Sequence, residues 1–161
     1  MKIVDVLNKK GHDYCAVGAN EMFDQVVRSL VSHGVGSLIV TDPEGAPIGI
    51  VSERSLVETF ARLGRRAVEE TARSVMRTPM PVCRPDLEIR EAMAMMTALR
   101  TRHLVVADGT NICGVISLGD LVKHRLRDTE LENLVLKEMA GAHRLFSDPG
   151  IPSALTGKSH W

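Results

Sequence analysis

The chain has 161 residues, 20 of them basic and 20 acidic, for a net charge of zero, so it offers no electrostatic pull toward nucleic acid or an anionic membrane. No apolar run approaches the ~18 residues of a membrane helix, and no signal-peptide pattern opens the chain. These features predict a cytoplasmic protein with no nucleic-acid and no membrane partner.

Cys15, Cys83 and Cys113 are odd in number, match no zinc spacing, and read as buried small hydrophobes in a reducing compartment. Residues 3–8 read as a short helix and residues 13–17 as a first strand. Asn20 is placed to cap a helix in which Phe23, Val26, Val27, Leu30 and Val31 recur at helical spacing and form one buried face. Gly34 ends that helix. Residues 37–41 form a buried strand, residues 42–47 a turn, and residues 48–51 a strand pairing back antiparallel, followed by a helix over 54–63. After a charged, mostly helical connection at 65–72 the order returns: strand 81–83, helix 86–99, strands 103–107 and 112–116, and a helix from Gly119 to about Arg127. Asp128 opens a separate amphipathic helix with Leu131, Leu134, Val135 and Met139 on one side. Beyond Ser147, proline, glycine and serine predict a loose tail.

The returning order is a sequence repeat. Gly114-Val115-Ile116-Ser117-Leu118-Gly119-Asp120-Leu121 is a strand running through a hydroxyl into a helix, and Gly49-Ile50-Val51-Ser52-Glu53-Arg54-Ser55-Leu56 has the same plan. Leu38, Val40 and Asp42 likewise recur as Leu104, Val106 and Asp108. A helix N-terminus presents unpaired N–H groups and the positive end of a dipole. At such a mouth Ser117 offers a hydroxyl to phosphate, and Asp120 either caps the helix or accepts hydrogen bonds from the vicinal hydroxyls of a ribose.

The two Gly-β-β-Ser exits, Arg102-His103-Leu104-Val105-Val106, Ser52-Glu53-Arg54 and Ser74-Val75-Met76-Arg77-Thr78-Pro79 together carry a likeness. The chain resembles a tandem pair of cystathionine-β-synthase (CBS) domains of the stand-alone bacterial type. The likeness implies an α+β fold in which two βαββα repeats pack sheet to sheet about a pseudo-twofold axis, with a C-terminal helix added. The divisions expected are a first repeat over 1–64, a linker over 65–73, a second repeat over 74–127, a C-terminal helix over 128–146 and a flexible tail over 147–161.

Two clefts follow from that symmetry. Carried over residue by residue, the resemblance assembles the first from Ser117, Asp120 and the adjoining Ile116 with Tyr14, Cys15, Gly36 and Ser37. The second joins Ser52, Arg54 and Ser55 to Met80, Pro81, Arg102 and His103. Ser55 stands where the family has an aspartate and cannot grip a diol in the same bidentate way, while Arg54, Arg102 and His103 supply positive charge.

Nothing in the sequence composes a catalytic constellation. Val115 breaks the Gly-x-Ser-x-Gly nucleophile elbow around Ser117, and Gly34-Val35-Gly36 follows a helix and lacks the third glycine of a dinucleotide fingerprint. The expectation is a regulatory, non-enzymatic module that requires no cofactor and senses AMP, ADP or ATP, with NAD and S-adenosylmethionine as alternative ligands. It would act as a homodimer on an unknown regulated protein. The competing expectation is a structural dimerisation module whose clefts are vestigial.

Overall fold

The computed structural model describes residues 1–146, with side chains over residues 1–140; the tail expected over 147–161 lies outside the described residues. Met1–Leu121 is one compact unit and Val122 begins a second. The first unit holds helices α1 (Ile3–Lys10), α2 (Phe23–His33), α3 (Glu53–Leu63), α4 (Ala72–Val75) and α5 (Ile89–Ala98), and strands β1 (Ala16–Gly18), β2 (Ser37–Thr41), β3 (Pro47–Ser52), β4 (Val82–Cys83), β5 (His103–Asp108) and β6 (Asn111–Ser117). A 3₁₀ segment, Gly64–Glu69, joins α3 toward α4. Helix α6 runs Leu118–Phe146, its first turn in the first unit and the rest in the second.

The strands form two sheets of three, ordered β1-β2-β3 and β4-β5-β6, each with one parallel and one antiparallel pairing. The repeat extends to an irregularity: the register shifts between Val40 and Thr41 in one sheet and between Val106 and Ala107 in the other. Successive side chains point to opposite faces and both faces are covered, which explains why residues 38–40 of β2 and 104–106 of β5 are continuously apolar. Leu38 and Val40 face the first repeat's helices, with Val26, Leu30 and Leu56; Leu104 and Val106 face the second's, with Ile89, Met96 and Leu121. The intervening Ile39 and Val105 point the other way and meet Ile50 between the sheets, flanked by Met80, Ile112 and Val115.

Each repeat's leading helix packs on the other repeat. Ile3, Val6 and Leu7 of α1 are buried in the second repeat's core, and Lys2 bridges Glu88. In return Ala72 and Val75 of α4 complete the first core, and Thr71 bridges Met22. Each fully buried aliphatic side chain contributes ~1.5–3 kcal/mol, so this exchange ties together two units of about 60 residues that would be marginal alone.

Several expectations are corrected. Helix α2 begins after Met22, whose N–H is taken by the Gln25 side chain at 2.8 Å, so Asn20 is not its cap. Phe23, Val26 and Leu30 are buried, but Val27 and Val31 are 37% and 77% exposed: the buried stripe is narrower than the apolar one. No break falls at Asp128, because α6 continues through it, and Leu131, Leu134, Val135 and Met139 are all more than half exposed. Of the three free cysteines only Cys83 is buried, and burial pushes its thiol up to about 11.

Gly49 and Gly114 occupy the same place in the two sheets, opposite Val40 and Val106. At Gly114, with φ +151°, a Cβ would lie 3.0 Å from Leu7 Cδ2 and 3.4 Å from the His12 carbonyl oxygen. Gly114→Ala should therefore cost ~1–3 kcal/mol in urea unfolding through overpacking and strain. Gly18→Ala, where the nearest atom is Glu21 Oε1 at 3.6 Å, should change stability by less than about 0.5 kcal/mol.

Candidate ligand-binding cleft

The mouth of α6 closes on itself as a reciprocal cap. The Asp120 N–H donates to Ser117 Oγ at 3.1 Å, and the Ser117 N–H donates to Asp120 Oδ2 at 2.8 Å, the Ser-x-x-acid pattern that satisfies two orphan donors at once. The same Oδ2 accepts from Lys10 Nζ at 2.6 Å, and Lys10 also donates to the Val115 carbonyl at 2.8 Å. Lys10 is the last residue of α1, so the helix exchange delivers an ammonium from the start of the chain to the second repeat's carboxylate.

This mouth opens into a cleft of ≈ 820 Å³. Across it stand Tyr14, Cys15, Gly36 and Ser37 of the first repeat, and Lys10, His103, Ser117 and Asp120 line the facing side. Leu30, Val31 and Val35 give it an apolar flank, and Asp13 and Glu53 add two exposed carboxylates. Backbone holds the pieces together: the Ile39 N–H donates to the Cys15 carbonyl at 2.9 Å and the Glu53 N–H to the Gly36 carbonyl at 3.1 Å. Gly36 fits closely against His103: a Cβ there would lie 3.0 Å from His103 Nε2, so the ring would have to shift.

Burial pushes the Asp120 carboxyl up, but the Lys10 ammonium and the Ser117 N–H outweigh it and hold it below the ordinary carboxylate value. His103 is lowered, first by burial and then by the charge of Lys10, against the pull of Glu53 and Asp120, so its ring is neutral at pH 7.

All six of Ser117, Asp120, Tyr14, Cys15, Gly36 and Ser37 line this one cleft. Ile116 does not: it is fully buried in the second repeat's core, as period two demands of the residue beside Ser117. The residues expected around the second cleft take different places. His103 belongs to the first cleft, beside Gly36. Ser52 and Ser55 form a capping box of their own, with Ser55 N–H to Ser52 Oγ at 3.3 Å and Ser52 N–H to Ser55 Oγ at 2.9 Å. Arg54 pairs with Glu58 at 2.8 Å on the exposed side of α3. Met80 packs between the sheets, Pro81 is buried with its carbonyl accepting from the Val105 N–H, and Arg102 is exposed, its carbonyl accepting from the Leu118 N–H. Lys10, Asp13 and Glu53 were not foreseen at the cleft. No periodic signal marks Lys10, because its partner lies 110 residues away.

A pseudo-twofold pair of βαββα repeats with a helix-mouth carboxylate facing a glycine-lined strand is the architecture of a regulatory ligand-binding pair. The CBS domain model matches residues 5–62 and 72–127, and the chain belongs to the CBS domain family. A CBS-domain protein of Agrobacterium tumefaciens is 31% identical, with 77% of this chain and 92% of that one covered at a TM-score of 0.74. A protein with CBS domains from Burkholderia ambifaria is 29% identical, with 80% and 96% covered at a TM-score of 0.74. An uncharacterised protein of Methanopyrus kandleri is 27% identical over 124 residues, which are 76% of this chain and 63% of that protein; the chain thus spans less than two thirds of that relative's length. CBS pairs are in general regulatory ligand-binding modules, and proteins built of them alone are in general regulatory rather than catalytic. Among the described residues no helix is long and apolar enough to cross a membrane.

Two measurements follow from the electrostatics. Lys10→Met should move the Asp120 titration midpoint upward in a carboxyl NMR titration, because burial then acts without its opposing cation. The folded-state pKa of His103 lies below its ordinary 6.5, so on acidification the unfolded chain takes up this proton first. Its contribution is present above pH 6.5 and is lost as pH falls toward the folded value. His103→Gln should accordingly flatten part of the fall in Tm on acidification below pH 6.5.

Proposed function

We propose that the chain is a regulatory module that binds an adenosyl ligand, AMP or a close relative, in the cleft at the mouth of α6, and passes its occupancy to a partner protein. The supporting observation is the pairing of Ser117 and Asp120 with Gly36 and Ser37 across one cleft. Asp120 Oδ2 is taken by Ser117 and Lys10, and the other carboxylate oxygen is the natural acceptor for a ribose hydroxyl. Gly36, without a side chain, lets the edge of an adenine lie close to the backbone. ADP, ATP, NAD and S-adenosylmethionine share the adenosyl end and differ only beyond it. Because the cleft is walled by both repeats, a ligand tying them together favours one arrangement over others, which is a population shift and needs no turnover.

Self-association as a homodimer is part of this reading. The exposed Val27, Val31, Val57 and Phe60 of α2 and α3 and the exposed apolar residues of α6 are surfaces for it.

A second reading has a specific observation behind it. Lys10 already neutralises Asp120, and at the other helix mouth the position matching Asp120 holds the hydroxyl of Ser55, closed in a box with Ser52, which is what a structural dimerisation module with vestigial clefts requires. Thermal shift with AMP, ADP, ATP, NAD and S-adenosylmethionine separates the two, since a ligand that binds only the folded chain raises Tm by mass action. The expected result is a rise with at least one of them that falls by the equivalent of about tenfold in affinity in Asp120→Asn, the loss of one charge-assisted hydrogen bond of ~1.5–3 kcal/mol. Asparagine keeps the cap, so each protein is compared with its own unliganded Tm. No shift with any of the five leaves the dimerisation module.

A further inference from the structure

The charges around the cleft bear on which adenosyl ligand it takes. Its lining carries three carboxylates, Asp13, Glu53 and Asp120, and one ammonium, Lys10. That ammonium is committed to Asp120 and to the Val115 carbonyl. His103, the remaining titratable group with a cationic form in the lining, is neutral at pH 7 because it is buried beside Lys10. Arg54 is spent on Glu58, and neither it nor Arg102 lines the cleft; the Arg102 charge reaches the site only from outside, where it helps to keep His103 neutral.

The helix mouth does not compensate. The anion that the N-terminus of α6 attracts is already present, since Asp120 accepts the Ser117 N–H and the Asp120 N–H is taken by Ser117 Oγ. Asp13 and Glu53 form no ion pair among the described residues, and they leave the cleft net negative.

We infer that the cleft ranks adenosyl ligands by charge, taking uncharged or cationic ones, a nucleoside or an adenosyl sulfonium, in preference to AMP, and AMP in preference to ATP. This rests on the reading of the cleft as an adenosyl site and adds the ligand class. A phosphate chain brings about two negative charges in AMP and about four in magnesium-free ATP, into a partly desolvated space where like charges repel more strongly than in water. An adenosyl sulfonium reverses the sign, so that Asp13 and Glu53 attract it.

Calorimetric titration at low salt with adenosine, S-adenosylmethionine, AMP and magnesium-free ATP tests the ranking. Adenosine and S-adenosylmethionine should bind about tenfold or more tighter than ATP. Raising sodium chloride from about 0.05 to 0.5 M should narrow that gap by screening it. In Asp13→Asn/Glu53→Gln, two exposed isosteric changes whose folding is checked by Tm, the ratio of ATP affinity to adenosine affinity should rise about threefold or more. ATP binding as tightly as adenosine at low salt, or a ratio moved neither by salt nor by the double substitution, overturns the inference and leaves the adenosyl site standing. Binding of none of the four overturns the adenosyl reading itself.

Discussion

The fold depends on an exchange: each repeat's leading helix packs on the other repeat's core. Helix α1 brings Ile3, Val6 and Leu7 to the second core, and α4 brings Ala72 and Val75 to the first. The contact between the sheets is small by comparison, with Ile39, Ile50 and Val105 at its centre. It sets the distance between the repeats, and the exchanged helices hold it there.

The cleft inherits its chemistry from that exchange. Because α1 lies on the second repeat, its last residue reaches the mouth of α6, and Lys10 meets Asp120. The loop after α1 returns to the first repeat and sets Asp13, Tyr14 and Cys15 along the cleft before β1 begins at Ala16. A structural tie thus also places the site's one engaged cation and one of its free carboxylates.

The two repeats share a backbone and diverge in side chains. Both helix mouths carry a hydroxyl and a reciprocal cap, Ser117 with Asp120 and Ser52 with Ser55. Only the first mouth has a charge to bury, and only that one is met by a lysine. Glycine follows the same logic: Gly49 and Gly114 serve the common backbone, whereas Gly36 serves one cleft by leaving room for the His103 ring.

The sequence by itself determined the number of repeats, the order of strands and helices, the family, and six of the residues that line the cleft. The elements are local features: period-two and helical spacing report which face of an element turns inward, and a Ser-x-x-Asp pattern reports its own helix mouth, whereas the six cleft residues were brought together only by the family resemblance. Tertiary structure alone decided that Val31 is exposed although it lies on the apolar stripe, and that His103 and Lys10 line the first cleft together. Each of these turns on what a distant segment brings to a surface, and a contact between residues 10 and 120 leaves no period in either neighbourhood. The charge of the cleft, three carboxylates against one engaged ammonium, is a sum over three separate stretches of chain, about residues 10–13, 53 and 120, invisible until they converge.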